Sequence, residues 1–226
     1  VIYYFVNNQE NEDIKIGFIG SLTGKYSVLS NDMMNGVTLA LDKINHTVDD
    51  KKIKLVIKDD KNDEEVNKEA INSFISDDIK IVIGNATSTM SAISMNIINK
   101  HKDMMMISAS SASTQFSNKD DNFFRVHVEN SPQRFDNFTN YLLKNNLDKV
   151  YAIYDPLNEK YTKNYIDNFE KSFIKKEKIS FIQKTNKLSD LNFLINDINS
   201  KKPSLVLIAA NSVDSANIIQ TLKLNN

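Results

Sequence analysis

Two short runs place hydroxyls where a ligand could use them: NATSTMS at 85–91 and SASSAST at 108–114. Ser and Thr hydroxyls beside the free backbone amides of a helix start form a neutral cradle for a carboxylate or a phosphate. The first run opens a helical pattern that passes Ile93 and Ile97, so Ser88 and Thr89 read as capping residues, as anion ligands, or as both. The second run follows MMMIS (104–108), a short apolar strand. Its small polar side chains hydrogen-bond their own backbone, so neither strand nor helix continues through it.

Other chemistry is thinly represented. GFIGSLTG carries Gly17, Gly20 and Gly24, but it is neither a dinucleotide fingerprint nor a P-loop, since no G-K-[ST] follows. SFIK (172–175) has the S-x-x-K spacing inside a predicted helix and lacks partner motifs. DDKNDEE (59–65) resembles a calcium loop until Glu65, which stands where the turn needs Gly; it reads as a solvated turn and helix start. His46, His101 and His127 are scattered without metal spacing or a neighbouring nucleophile. The chain has no Cys, which excludes disulfides, thiolate metal sites and a Cys nucleophile. A formal net charge of -1 gives no electrostatic footprint for nucleic acid. A binding protein without catalytic constellation, metal or cofactor is the expectation.

The elements that must position these runs alternate almost from end to end. IKIGFIG (14–20), IKLVIKDD (53–60), IKIVIG (79–84), MMMIS, FFRV (123–126), KVYAIYD (149–155), KISFIQ (178–183) and SLVLIAA (204–210) read as strands. Between most of them lie amphipathic patterns, such as Met33, Met34, Val37, Leu41 and Ile44, with Ser30, Asn31 and Asp32 as available caps. Near-continuous Ile/Val/Leu strands alternating with helices predict parallel sheet with helices on both faces. Eight strands are too many for one compact sheet in this pattern. The chain therefore reads as two α/β lobes, 12–128 and 129–226, crossing near Val126–Pro132. VIYYFV (1–6) is too short to span a bilayer; it reads as a terminal strand or as the tail of a signal or anchor segment.

Ligands of open parallel sheets sit beyond the carboxyl ends of the strands. The informative loops are then SLTGKYSVLS, NATSTMS, SASSAST, DPLNEKY and NSVDS. Taken in order with IKIGFIG, NGVTLALDKIN, IKLVIKDD, MMISASSAST, FFRV and VYAIYD, these segments resemble the type I periplasmic solute-binding proteins of the branched-chain amino-acid-binding branch, from about residue 12 onward. The resemblance implies two doubly wound lobes closing on a small carboxylate-bearing, amino-acid-like ligand for a membrane permease, outside the cytoplasm. A ligand-sensing ectodomain of a membrane-anchored receptor is its alternative.

Position by position, the resemblance implies ligand contacts at Tyr26 or Leu29 in the first loop and at Ser88 with Thr87 beside it. The family's S-P-S-S-T loop corresponds to Ser108–Ala112 here, so Ala112 replaces the ligand-binding Thr. Ser110, Ser111 or Ser113 is then expected to supply the hydroxyl. Tyr161 matches the aromatic ring that closes over the ligand, and Asn211 stands where many relatives place another aromatic. Relatives continue beyond TLKLNN and carry there an acidic residue for the ligand's ammonium, so the second lobe is expected to be incomplete.

Overall fold

The computed structural model describes residues 13–174 and 180–225. Strands β1 (Ile14–Gly20), β2 (Thr47–Val48), β3 (Lys51–Asp59), β4 (Ile81–Ile83), β5 (Met105–Ser108) and β6 (Phe123–Arg125) form one sheet in the order β2-β3-β1-β4-β5-β6. All neighbours run parallel except β2, which pairs antiparallel with β3. The alternation of the pleat sends successive side chains to opposite faces. On one face Ile19 packs with Ile71 and Phe74 of α2 (Glu64–Ser76) and with Met95 and Ile98 of α3 (Ser88–Ile98). Phe74 is fully buried there, worth about 1.5–3 kcal/mol of apolar transfer. On the other face lies α1 (Ser27–Lys43), so close that a Cβ on Gly20 would stand 3.1 Å from Ser30 Oγ.

A second sheet has the order β8-β7-β9, all parallel: β7 (Lys149–Tyr154), β8 (Ser180–Thr185) and β9 (Leu205–Ala209). Central β7 is buried on both faces. Tyr151 and Ile153 pack against Leu194 and Ile198 of α6 (Leu191–Lys201) and Ile218 of α7 (Ser212–Leu224). Val150 and Ala152 face α4 (Asp136–Lys144) and α5 (Glu159–Ile174) through Leu142, Phe169 and Ile166. Parallel sheets with helices on both faces are thus present, as the sequence pattern implies.

Several local expectations are corrected. Helix α1 begins at Ser27 after an N-cap at Tyr26, so Ser30, Asn31 and Asp32 lie inside it and cap nothing. Asn31 Nδ2 instead donates to Ser27 O (2.8 Å) and Leu22 O (3.3 Å), tying the helix start to the loop before it. Ahead of α4 the chain enters through a 3-10 turn, Pro132–Phe135. The β2–β3 hairpin was not legible, because two exposed residues carry no apolar alternation. Within DDKNDEE, Asp60 is fully buried rather than solvated. VIYYFV, Lys175 of SFIK and the start of KISFIQ lie outside the described residues. Among the described residues no helix is long and apolar enough to cross a membrane.

Candidate functional site

The loops after β1, β4, β5, β6, β7 and β9 surround one cavity of about 480 Å³ between the two sheets. Its first wall is built at the start of α3. Thr87 is the N-cap: its Oγ1 accepts from Met90 N (3.3 Å) and donates to Asn62 Oδ1 (3.0 Å). With capping done by Thr87, the Ser88 hydroxyl is free of that task. Ser88 lines the cavity, is 1% exposed, and its Oγ has no hydrogen-bond partner. A buried hydroxyl without a partner is uncommon, because desolvating it costs about 1–3 kcal/mol.

The second hydroxyl run divides. Ala109 and Ser110 line the cavity, and Ser110 Oγ donates to Ala86 O at 2.7 Å. Ser111 turns inward: its Oγ lies 2.6 Å from Ser91 Oγ and accepts from Ser108 Oγ at 3.0 Å, tying α3 to the end of β5. Ala112 is fully buried, and its carbonyl accepts from Asn130 N at 2.8 Å. Ser113 caps the 3-10 turn Thr114–Phe116 through Gln115 N. The structure therefore places Ser111, Ala112 and Ser113 behind the wall, not on it.

Behind the same wall, Asp60 ties the ends of β1, β3 and β4 together. It accepts from Ser21 Oγ (2.7 Å), Asn85 Nδ2 (2.7 Å) and Asn62 N (2.9 Å), and Asn85 in turn accepts from Ser94 Oγ (2.8 Å). Its neighbour Asp59 holds the first loop by accepting from Leu22 N (2.8 Å) and Thr23 Oγ1 (2.7 Å). Burial pushes the Asp59 carboxyl up, but the bonds from Thr23, Lys61 and Leu22 bring it net below its ordinary value.

The facing wall comes from the second sheet. Asp155, the N-cap of the 3-10 turn Pro156–Asn158, accepts from Leu157 N at 2.9 Å. Its other oxygen accepts from the Tyr26 hydroxyl and from Asn211 Nδ2 (3.1 Å). Burial, then the bond to Asp155, pushes the Tyr26 phenol far above its usual value, so it remains a proton donor. Asn211 also caps α7 by accepting from Asp214 N (3.0 Å). Tyr161 lines the cavity with its ring 6.0 Å from that of Tyr165, and burial raises its phenol as well. Leu29 lies at the rim, 45% exposed.

Tyr26, Leu29, Thr87, Ser88, Ser110, Tyr161 and Asn211 thus share one cavity. Sequence reasoning missed Met33, His127, Asp155 and Asn158 in its lining. Asp155 and Asn158 stand in DPLNEKY, a loop that the strand-end rule marks, but the rule does not say which of its side chains turns inward.

Direct bonds cross between the two sheets around the cavity. Thr89 N donates to Asn158 Oδ1 (3.3 Å), and Lys160 N donates to Thr89 Oγ1 (3.2 Å). Asn164 makes a reciprocal pair with Thr114, accepting from its backbone N (3.2 Å) and donating to its Oγ1 (2.7 Å). Lys25 pairs with Asp214 at 2.8 Å.

A family of periplasmic binding proteins matches residues 13–225. The Leu/Ile/Val-binding protein homolog 3 of Brucella melitensis is 27% identical over 143 residues, 62% of this chain and 39% of that protein. The Leu/Ile/Val-binding protein BraC3 of Rhizobium johnstonii is 28% identical over 163 residues, 70% of this chain and 43% of that one. The matches thus span less than half the length of either relative. Among solved structures, the leucine binding protein LivK of Thermotoga maritima aligns with TM-score 0.81 at 18% identity, over 94% of this chain and 61% of its own. A solute binding protein of an ABC transporter from R. palustris, in complex with benzoate, aligns with TM-score 0.83 at 18% identity, over 95% and 60%. With sheet order, strand-end cavity and family match in agreement, the chain belongs to the type I periplasmic binding proteins, in the branched-chain amino-acid-binding family.

Proposed function

We propose that the protein binds a small carboxylate-bearing solute between two lobes, 12–128 and 129–226, and performs no chemistry on it. In this reading it is the extracytoplasmic receptor of an ABC-type uptake system, and a membrane permease receives the solute. The observation that carries the reading is the Ser88 hydroxyl: buried, without a partner, and at the start of α3 in the cavity wall. A carboxylate there would accept from that hydroxyl and lie in the favourable field of the helix N-terminus. The cavity volume, about 480 Å³, suits a small solute. Tyr26, Leu29, Thr87, Ser110, Tyr161 and Asn211 make up the rest of the proposed contact set. Solved relatives bind isoleucine in one case and benzoate in another, both carboxylates, which agrees with this choice.

The test is a thermal-shift panel of amino acids and of aliphatic and aromatic carboxylates, followed by calorimetry on any hit. A ligand at a hundred times its Kd stabilises by about 2.7 kcal/mol, which is readily visible as a raised melting temperature. A carboxylate hit is expected, and silence across the panel overturns the reading.

A further inference from the structure

The start of α3 is tied to the second sheet on both sides of Ser88. On one side, Thr89 N donates to Asn158 Oδ1 and Thr89 Oγ1 accepts from Lys160 N. On the other side, the link from Thr87 runs through Asn62, in the loop between β3 and α2. Thr87 Oγ1 donates to Asn62 Oδ1 (3.0 Å), and Asn62 Nδ2 donates to Leu157 O (3.2 Å). Leu157 belongs to the 3-10 turn Pro156–Asn158. Thr162 of α5 holds that turn, its Oγ1 sharing a proton between Asp155 O (2.6 Å) and Asn158 O (3.0 Å).

The donors along this link have a direction. A backbone carbonyl only accepts, so Leu157 O fixes which end of the Asn62 amide faces the second sheet. The amide oxygen is then left for Thr87, whose one hydroxyl proton goes to it. The lone pairs of the same hydroxyl remain for Met90 N, the bond that caps α3. The backbone of Asn62 takes no part in this choice. It is left-handed, with φ +54, and its N–H is held by Oδ1 of the buried Asp60 at 2.9 Å. The bond to Leu157 exists only while the two sheets face each other. A bond made in one of two arrangements biases whatever else depends on it.

We propose that Asn62 is a positioning residue for the solute: acting through Thr87, it sets the start of α3, and so the Ser88 hydroxyl, only while the second sheet stands against it. This rests on the solute-binding reading above and adds to it a residue outside the cavity lining. A carboxylate at Ser88 then meets a finished seat only in the apposed arrangement.

Two measurements on Asn62→Gly test this, since glycine keeps the left-handed backbone and removes only the amide. In the ligand-free protein, hydrogen exchange at the Met90 amide is expected to quicken several-fold, with exchange at Phe169 in α5 unchanged. Calorimetry then compares benzoate with benzamide and L-leucine with L-leucinamide. The wild type is expected to favour the carboxylate in at least one pair. Asn62→Gly is expected to lower that preference by about threefold or more, the scale of one hydrogen bond. In a Thr87→Val background Asn62→Gly is expected to have no further effect, while Thr87→Ser, which keeps the hydroxyl, behaves as the wild type. Met90 exchange as slow in Asn62→Gly as in the wild type overturns the inference and leaves the solute-binding reading standing. Exchange quickened equally at Met90 and Phe169 assigns Asn62 to stability alone and overturns it too. So does a carboxylate preference that is unchanged, or that falls equally in the Thr87→Val background. If neither pair nor any other carboxylate binds the wild type, the solute-binding reading fails and the inference with it.

Discussion

Ser88 carries opposite demands. Its buried hydroxyl is a cost in the empty protein and a donor in the proposed complex. Ser88→Ala is therefore expected to weaken carboxylate binding by about 1.5–3 kcal/mol, while the ligand-free melting temperature stays level or rises. Calorimetry and a melting curve on the same variant check both signs. A loss of stability equal to the loss of affinity would mean that the hydroxyl is structural. Ser88 was legible because a hydroxyl run ahead of a helical pattern names its own place at the helix start. Ser111 was not, since the direction of each hydroxyl in SASSAST depends on the path of the chain past Ser91, a residue of another element. Asp155 escaped for a similar reason: its significance lies in Tyr26 and Asn211, distant in sequence by over a hundred and by more than fifty residues.

At the level of elements, the strand ends fix the site, and β4 is the most constrained of them. Gly84 follows it with φ +141, and a Cβ there would stand 2.0 Å from Ile19 O of β1. No side-chain movement relieves a clash with backbone. Gly84→Ala is expected to lower stability by more than about 1 kcal/mol, measured by urea unfolding, and to displace the start of α3 with it. Unchanged stability would show that β1 and β4 can separate without consequence. The alternation of Ile- and Val-rich runs with amphipathic patterns made most elements legible from residue types alone. Element starts were less legible: α1 begins three residues ahead of its apparent caps, because Asn31 is used as a tie to the Leu22 loop.

At the scale of the whole molecule, the bonds between the two sheets were beyond sequence reasoning, because they depend on how two separate sheets face each other. Their strengths differ. The Lys25–Asp214 pair has an exposed lysine, so it is worth at most about 1 kcal/mol and weakens in salt. The reciprocal pair of Asn164 and Thr114 is partly buried and supplies two hydrogen bonds, together about 1–3 kcal/mol. Asn164→Ala is expected to raise the radius of gyration of the ligand-free protein in small-angle scattering, with unchanged helix content by circular dichroism. An identical scattering curve would assign the apposition of the two sheets to the other bonds between them.

The Thr114–Asn164 clasp also bears on time. Its two bonds join protein to protein and are the same whatever the cavity holds. Parting the two sheets around a bound ligand would break these bonds together with the ligand's own, so loosening the clasp should quicken the release of every ligand by a similar factor and leave the differences among ligands in place.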